Sequence, residues 1–299
     1  MAEIQKVVVV GGGTMGQGIA ELLASKGFDT YLLEKSIEDA QCALHHIELS
    51  LDKELSKWGI TRAEKRATLS RVHITDDPTI MSDADFVIES VYECLQTKQQ
   101  ILELFDELSR PEVILASNTS TLSLTEIAAF TRRPDKVIGL HFVHPVPKIP
   151  LVEVVRGLKT SSETVKNVFD FLSYLELEGV EVYESPGFVT TRLITMLINE
   201  ALYTLMEGVA TATDIDRAMK FGFQFKVGPL EMADRFGLDS VLAAMERLYR
   251  EFGDPKFRPC PILKKMVRAG QLGVKTEEGF FLYDEDGDRI EVNQEVVSG

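Results

Sequence analysis

Two stretches of this 299-residue chain combine residue types and spacings that suit chemistry. One is Gly139-Leu140-His141-Phe142-Val143-His144-Pro145, followed by Glu153 in the apolar run Leu151–Val155. An imidazole at the tip of a sheet strand, with a carboxylate on one ring nitrogen, is oriented and raised in basicity. Its other nitrogen can then take the proton of a carbinol hydroxyl while a hydride leaves the carbon. The other stretch is Gly11, Gly13 and Gly16, a G-x-G-x-x-G pattern that follows four consecutive valines. In such a loop the first glycine allows a tight turn, the second lets backbone approach a pyrophosphate, and the third lets the next helix pack on the strand. A helix beginning near Thr14 and Met15 offers free N–H groups and a positive dipole end to phosphates. Glu34 closes the next strand, within the expected distance of roughly twenty residues, where a carboxylate accepts hydrogen bonds from an adenosine ribose. A 2′-phosphate there would meet like charge, so the cofactor expected is NAD rather than NADP, although Lys35 next door softens the exclusion.

Blander readings of the same residues exist. A histidine beside a proline turn can be purely structural. His141, His144 and Glu153 also imitate a two-histidine, one-carboxylate metal site, but the spacing fits no metal motif, and no metal is expected.

These groups need elements to carry them. Lys6–Val10 reads as a strand buried on both faces, and a helical pattern runs from the glycine loop to Ser25, ended by Gly27. Phe28–Leu33 is a second strand. Capping patterns at Ser36/Asp39 and Thr61/Glu64 open an inserted helix pair over Ser36–Leu69, the first helix running to about Trp58 and stopped by Gly59. Further strands are expected at Val72–Thr75, Asp85–Glu89, Val113–Ala116, Val137–Leu140, Leu151–Val155 and Gly179–Tyr183, with helices at about Thr97–Ser109, from Ser123 and at Ser162–Leu177. Strands alternating with helices imply an α/β Rossmann-type, mostly parallel sheet, with ligands beyond its C-terminal strand ends. From Ser185 the character turns helical. The segment Phe188–Gly208 is apolar nearly all round, as in a bundle core or subunit interface, a helix capped at Thr213/Asp216 follows, and others span about Gly237–Phe252 and Pro259–Gly270. The expected domains are 1–185, the cofactor domain with its helix pair, and 186–299, an all-α substrate and dimerisation domain.

Composition narrows the partners. With 32 basic against 47 acidic side chains, the net charge of −15 argues against nucleic acid or an anionic membrane, so a polyanionic ligand needs a local basic cluster. No basic-then-apolar leader and no apolar window of about eighteen residues is present, which makes the cytoplasm the expected location. Cys42, Cys94 and Cys260 lack C-x-x-C spacing and read as reduced thiols.

Taken in order, Gly11–Gly18, Ser117-Asn118-Thr119-Ser120, His141-Phe142 with Pro145, Pro147 and Glu153, Ser185-Pro186-Gly187-Phe188 with Arg192, Gly228-Pro229-Leu230, and Gly273, Lys275, Gly279-Phe280-Phe281 resemble the 3-hydroxyacyl-CoA dehydrogenases over essentially the whole chain. The similarity is greatest to the short bacterial 3-hydroxybutyryl-CoA type. The resemblance implies oxidation of a short-chain (S)-3-hydroxyacyl-CoA to 3-oxoacyl-CoA with NAD, an activity of fatty-acid β-oxidation, in a homodimer. It also implies that His141 is the general base, oriented by Glu153, that Ser120 bonds the substrate oxygen, and that Asn118 lies near the nicotinamide. Glu93 and Lys98 would line the cofactor site, and Lys53 and Lys57 would hold the CoA phosphates. Two positions depart from the pattern. His144 and Thr191 stand where the family usually has asparagine; the asparagine at position 191 belongs to the usual active-site set, and Thr191 puts one hydroxyl in place of its amide donors and acceptor. Two alternatives stay open: a dehydrogenase of the same fold acting on a hydroxy acid without CoA, and a non-catalytic NAD-binding protein.

Overall fold

Four valines in a row cannot present a polar face, and the strand they form, β1 (Lys6–Val10), is accordingly central. Val7 and Val9 enter one apolar cluster while Val8 and Val10 enter another on the opposite face of the sheet. The computed structural model describes residues 4–290. Around β1 the chain lays down α1 (Thr14–Ser25), β2 (Asp29–Leu33), the inserted pair α2 (Ile37–Ser56) and α3 (Arg62–Leu69), and β3 (Val72–Thr75). It continues through β4 (Phe86–Glu89), α4 (Leu95–Leu108), β5 (Ile114–Ser117), α5 (Leu124–Ala128), β6 (Val137–Phe142), β7 (Leu151–Arg156), α6 (Ser162–Tyr174) and β8 (Glu178–Tyr183). The eight strands form one sheet in the order β3-β2-β1-β4-β5-β6-β7-β8. The order reverses direction between β1 and β4, which opens a crevice beyond their C-terminal ends.

The helix starts follow local chemistry. Ser36 accepts the N–H of Asp39, Thr61 and Glu64 make a reciprocal capping box, and Ser123 accepts the N–H of Glu126.

The sheet is mostly parallel, as expected, with one exception that matters to the site. No helix separates β6 from β7, so the chain turns straight back and the two strands pair antiparallel. Their register sets His141 opposite Glu153.

Packing divides the chain into two units, Met1–Phe188 and Val189–Gly299. The second unit contains α7 (Thr190–Met206), α8 (Ala212–Phe223), α9 (Pro229–Phe236), α10 (Leu238–Phe252), α11 (Pro261–Ala269) and a short hairpin of β9 (Leu282–Tyr283) and β10 (Arg289–Ile290). One face of α7 supplies Ile198, Leu202 and Leu205 to this unit's core, whereas Leu193 is two-thirds exposed. The cap of α8 differs from expectation. Thr211 accepts the N–H of Asp214, so the pattern is satisfied two positions before Thr213, and Asp216 is instead buried, accepting the N–H groups of Leu230 and Glu231 at 2.8 and 2.9 Å. Asp234 plays a matching part for the tail: it accepts Phe280 N–H, Phe281 N–H and the Tyr283 hydroxyl at 2.9–3.0 Å. A Cβ on Gly228 would lie 2.2 Å from the Asp216 side chain, and one on Gly279 2.1 Å from that of Asp234, so these glycines are the seats of two buried carboxylates. Among the described residues no helix is long and apolar enough to cross a membrane.

Candidate active site

The glycine loop sits at the mouth of the crevice. Gly11 has φ +99°, and a Cβ there would meet the Ser90 carbonyl oxygen at 2.7 Å; one on Gly16 would fall 1.8 Å from the Gly11 oxygen. Both glycines are therefore required by the protein itself. Gly13 is different. It is the N-cap of α1, offers no side-chain cap, and a Cβ on it would meet nothing within 4 Å. Its openness leaves space for a group that approaches backbone closely, and the uncapped N–H groups of the first turn of α1 suit an anion. Across the loop, Glu34 receives the Gly12 N–H on Oε1 at 2.5 Å and the Lys35 N–H on Oε2 at 3.1 Å. A cavity of about 870 Å³ lies beside these groups, lined by Gly11, Gly13, Thr14, Met15, Glu34, Glu93, Asn118 and Ser120 from the expected set. An open glycine backbone, a free helix end and a strand-terminal carboxylate in one cavity fit a dinucleotide.

Lys98 departs from its expected place. It does not line the cavity: its side chain is fully buried on α4, Nζ donating to Glu89 Oε1 at 2.6 Å and lying 3.4 Å from Glu93 Oε2. A buried ammonium is tolerable only with such partners. Its influence on the cavity passes through Glu93, whose Oε1 gathers the N–H groups of Ser120 and Thr121 at 3.0 Å and the Thr119 hydroxyl at 2.6 Å. Burial pushes the Glu93 carboxyl up, but the Lys98 charge and these donors outweigh it and hold the carboxyl below its usual range. Glu93 thereby organises the loop that carries Ser120. Glu89 was not singled out from sequence. Fully buried at the end of β4, it also accepts the Ser117 hydroxyl at 2.5 Å and the Val91 N–H at 2.8 Å. The available signal was an acidic residue closing an otherwise apolar strand, with a lysine on the next helix.

Asn118 is clamped from two sides. Its backbone N–H donates to the Glu89 carbonyl at 2.8 Å, and its Oδ1 accepts the Phe142 N–H at 3.1 Å, next to His141. The Ser120 hydroxyl makes no hydrogen bond among the described residues.

His141 and Glu153 meet across the antiparallel pair, Nδ1 to Oε2 at 2.6 Å, both buried. With Nδ1–H donating to the carboxylate, Nε2 bears the lone pair. The Phe188 ring packs against the imidazole, centroids 5.6 Å apart. Burial lowers the pKa of His144, which favours its neutral imidazole. Among the described residues no three His, Cys, Asp or Glu side chains gather as a metal site.

Lys53 and Lys57 lie exposed at the C-terminal end of α2, where Glu54 accepts Lys148 Nζ at 2.6 Å and so ties this end to the loop after His144. Trp58, at φ +60° and 93% exposed, marks the tip. Thr191 belongs to the second unit, in the first turn of α7, its carbonyl accepting the Thr195 hydroxyl.

The site geometry can be set beside known proteins. Residues 6–185 match the family model described as "3-hydroxyacyl-CoA dehydrogenase, NAD binding domain", and residues 187–283 match "3-hydroxyacyl-CoA dehydrogenase, C-terminal domain". A 3-hydroxybutyryl-CoA dehydrogenase of Clostridioides difficile is 44% identical over 279 residues, 93% of this chain and 99% of the relative. A probable 3-hydroxybutyryl-CoA dehydrogenase of Bacillus subtilis is 42% identical, covering 95% and 99%. The crystal structure of the (S)-3-hydroxybutyryl-CoA dehydrogenase PaaH1 from Ralstonia eutropha superposes with a TM-score of 0.87 at 41% identity, covering 95% of this chain and all of that one. With both family models matched in order and near-complete coverage on either side, the chain belongs to the 3-hydroxyacyl-CoA dehydrogenase family.

Proposed function

We propose that this NAD-dependent 3-hydroxyacyl-CoA dehydrogenase oxidises a short-chain (S)-3-hydroxyacyl-CoA, such as 3-hydroxybutyryl-CoA, to the 3-oxoacyl-CoA, with His141 as base and Glu153 as its orienting partner. The observation that carries this is the buried Nδ1–Oε2 pair at 2.6 Å, facing from adjacent antiparallel strands beside the loop that bears Asn118. Nε2 of His141 takes the proton of the 3-hydroxyl, and the Glu153 carboxylate stabilises the imidazolium that results. NAD, when bound, supplies the hydride acceptor for the hydrogen leaving C3. Gly11, Gly13, Thr14 and Met15 would hold its pyrophosphate and Glu34 its adenosine ribose, with Glu93 and Asn118 nearer the nicotinamide. Ser120 would bond the substrate oxygen, and Thr191 would be a further member of the catalytic set.

Lys53 and Lys57 would hold the CoA phosphates, a local basic pair in a chain of charge −15. Residues 1–185 would act as the cofactor domain and 186–299 as the substrate and dimerisation domain. Homodimerisation through the latter is supported by large apolar side chains left exposed there, among them Leu193, Val209, Phe221 and Phe223. Action in the cytoplasm goes with this reading. NADH oxidation measured with acetoacetyl-CoA and with free 3-oxo acids tests it. Turnover should be confined to the CoA thioester; a preference for the free acids would replace the substrate class, and NADH binding without turnover of either would leave a non-catalytic protein.

A further inference from the structure

We infer that Asp76 is a second cofactor-selecting residue, acting with Glu34 to repel a 2′-phosphate from the adenosine end of the cavity. The inference rests on the reading of that cavity as the NAD site. β2 and β3 run parallel, with Leu33 in register with Thr75, and the Glu34 N–H donates to the Thr75 carbonyl at 3.0 Å. The residues that follow on each strand, Glu34 and Asp76, therefore emerge side by side at the sheet's C-terminal edge, and both line the cavity. Asp76 has no structural task there. Among the described residues its carboxylate makes no hydrogen bond or ion pair, whereas its neighbour Asp77 caps the next turn through the Thr79 N–H at 2.9 Å.

Glu34 alone is a weaker barrier than it looks in sequence, because both its oxygens are engaged by the Gly12 and Lys35 N–H groups, which disperse its charge. Among the described residues the one cation lining the cavity is Lys35, and its ammonium lies 3.6 Å from Asp39 on the first turn of α2. At this end of the cavity the lining carries the carboxylates Glu34 and Asp76 against one lysine that is already paired with Asp39. A bound 2′-phosphate calls for the reverse, a cationic fork. At a separation of about 7 Å in water-like surroundings, one carboxylate repels a phosphate bearing about two charges by enough to change its affinity roughly five- to tenfold.

The test is direct binding of NADH and NADPH, followed by their own fluorescence, to wild type and to Asp76→Asn. Wild type should prefer NADH. Asp76→Asn should bind NADPH roughly five- to tenfold more tightly with NADH little changed, and the gain should shrink in high salt. Glu34→Gln combined with Asp76→Asn should narrow the preference further than either alone. An unchanged NADH-to-NADPH ratio in Asp76→Asn, or equal shifts for both nucleotides as a contact to adenine would give, overturns the inference and leaves the NAD site standing. Wild type that binds neither nucleotide, or prefers NADPH, overturns both.

Discussion

Replacing Glu153 by glutamine keeps the volume and one hydrogen-bond acceptor opposite His141 but removes the charge that an imidazolium would face at 2.6 Å. A hydrogen bond to a charged group is worth about 1.5–3 kcal/mol more than none, which converts to a loss of roughly 10- to 150-fold in turnover if the bond strengthens as the proton arrives. A glutamine can also turn its amide N–H₂ toward Nδ1, which would place the proton on Nε2 and leave no base toward the substrate; that outcome enlarges the loss. Because both groups are buried and paired across adjacent strands, the loss should fall on kcat rather than on NADH affinity. The assay is steady-state acetoacetyl-CoA reduction and the reverse oxidation for wild type, Glu153→Gln, His141→Ala and the double variant, with NADH affinity measured separately. His141→Ala should cost on the order of a hundred- to ten-thousand-fold. If Glu153 acts only through His141, the double variant is no worse than His141→Ala. Multiplicative losses, or Glu153→Gln with wild-type kcat, would refute the reasoning.

Replacing Lys53 and Lys57 together by alanine should raise the KM for acetoacetyl-CoA and reduce its salt dependence while leaving the matching pantetheine thioester unaffected; equal losses on both substrates would remove phosphate binding from that helix end. Trp58, the single tryptophan, stands beside Lys57, so quenching of its emission by CoA should weaken in the same variant. In the second unit, burial, with the charge of Asp216 adding to it, pushes the Asp234 carboxyl up to about 7 in spite of three donors. An elevated folded pKa means that the folded state holds the proton longer than the unfolded one, so this group's contribution to stability is full below about pH 4 and is lost as pH rises through about 7. Thermal unfolding followed between pH 5 and 8 should therefore slope downward for wild type and be flatter, though lower throughout, for Asp234→Asn; parallel curves would contradict the linkage.

Much of the first unit was legible because its signals are local. A valine run next to spaced glycines needs no tertiary information to declare β1 and the loop after it, and the caps at Ser36, Thr61 and Ser123 are settled within one helical turn. Glu34 follows from strand length alone. The fate of Lys98 was not legible: a lysine on an amphipathic helix reads as solvated, and only the packing of α4 against the end of β4 buries it between Glu89 and Glu93. The two glycine-backed carboxylates, Asp216 and Asp234, were likewise hidden, since each joins segments far apart in sequence and Asp216 looked like one end of a local cap. His141 and Glu153 show the division most clearly. Their types and the strand pattern around each stand in the sequence, but whether they face one another depends on the direction and register of β7. A parallel neighbour or a one-residue slip would turn Glu153 away from the imidazole, because side chains alternate faces along a strand. The antiparallel return after Phe142, forced by a connection too short for a crossover helix and held by Val146 packing against α1 at Gly18, decided that pairing.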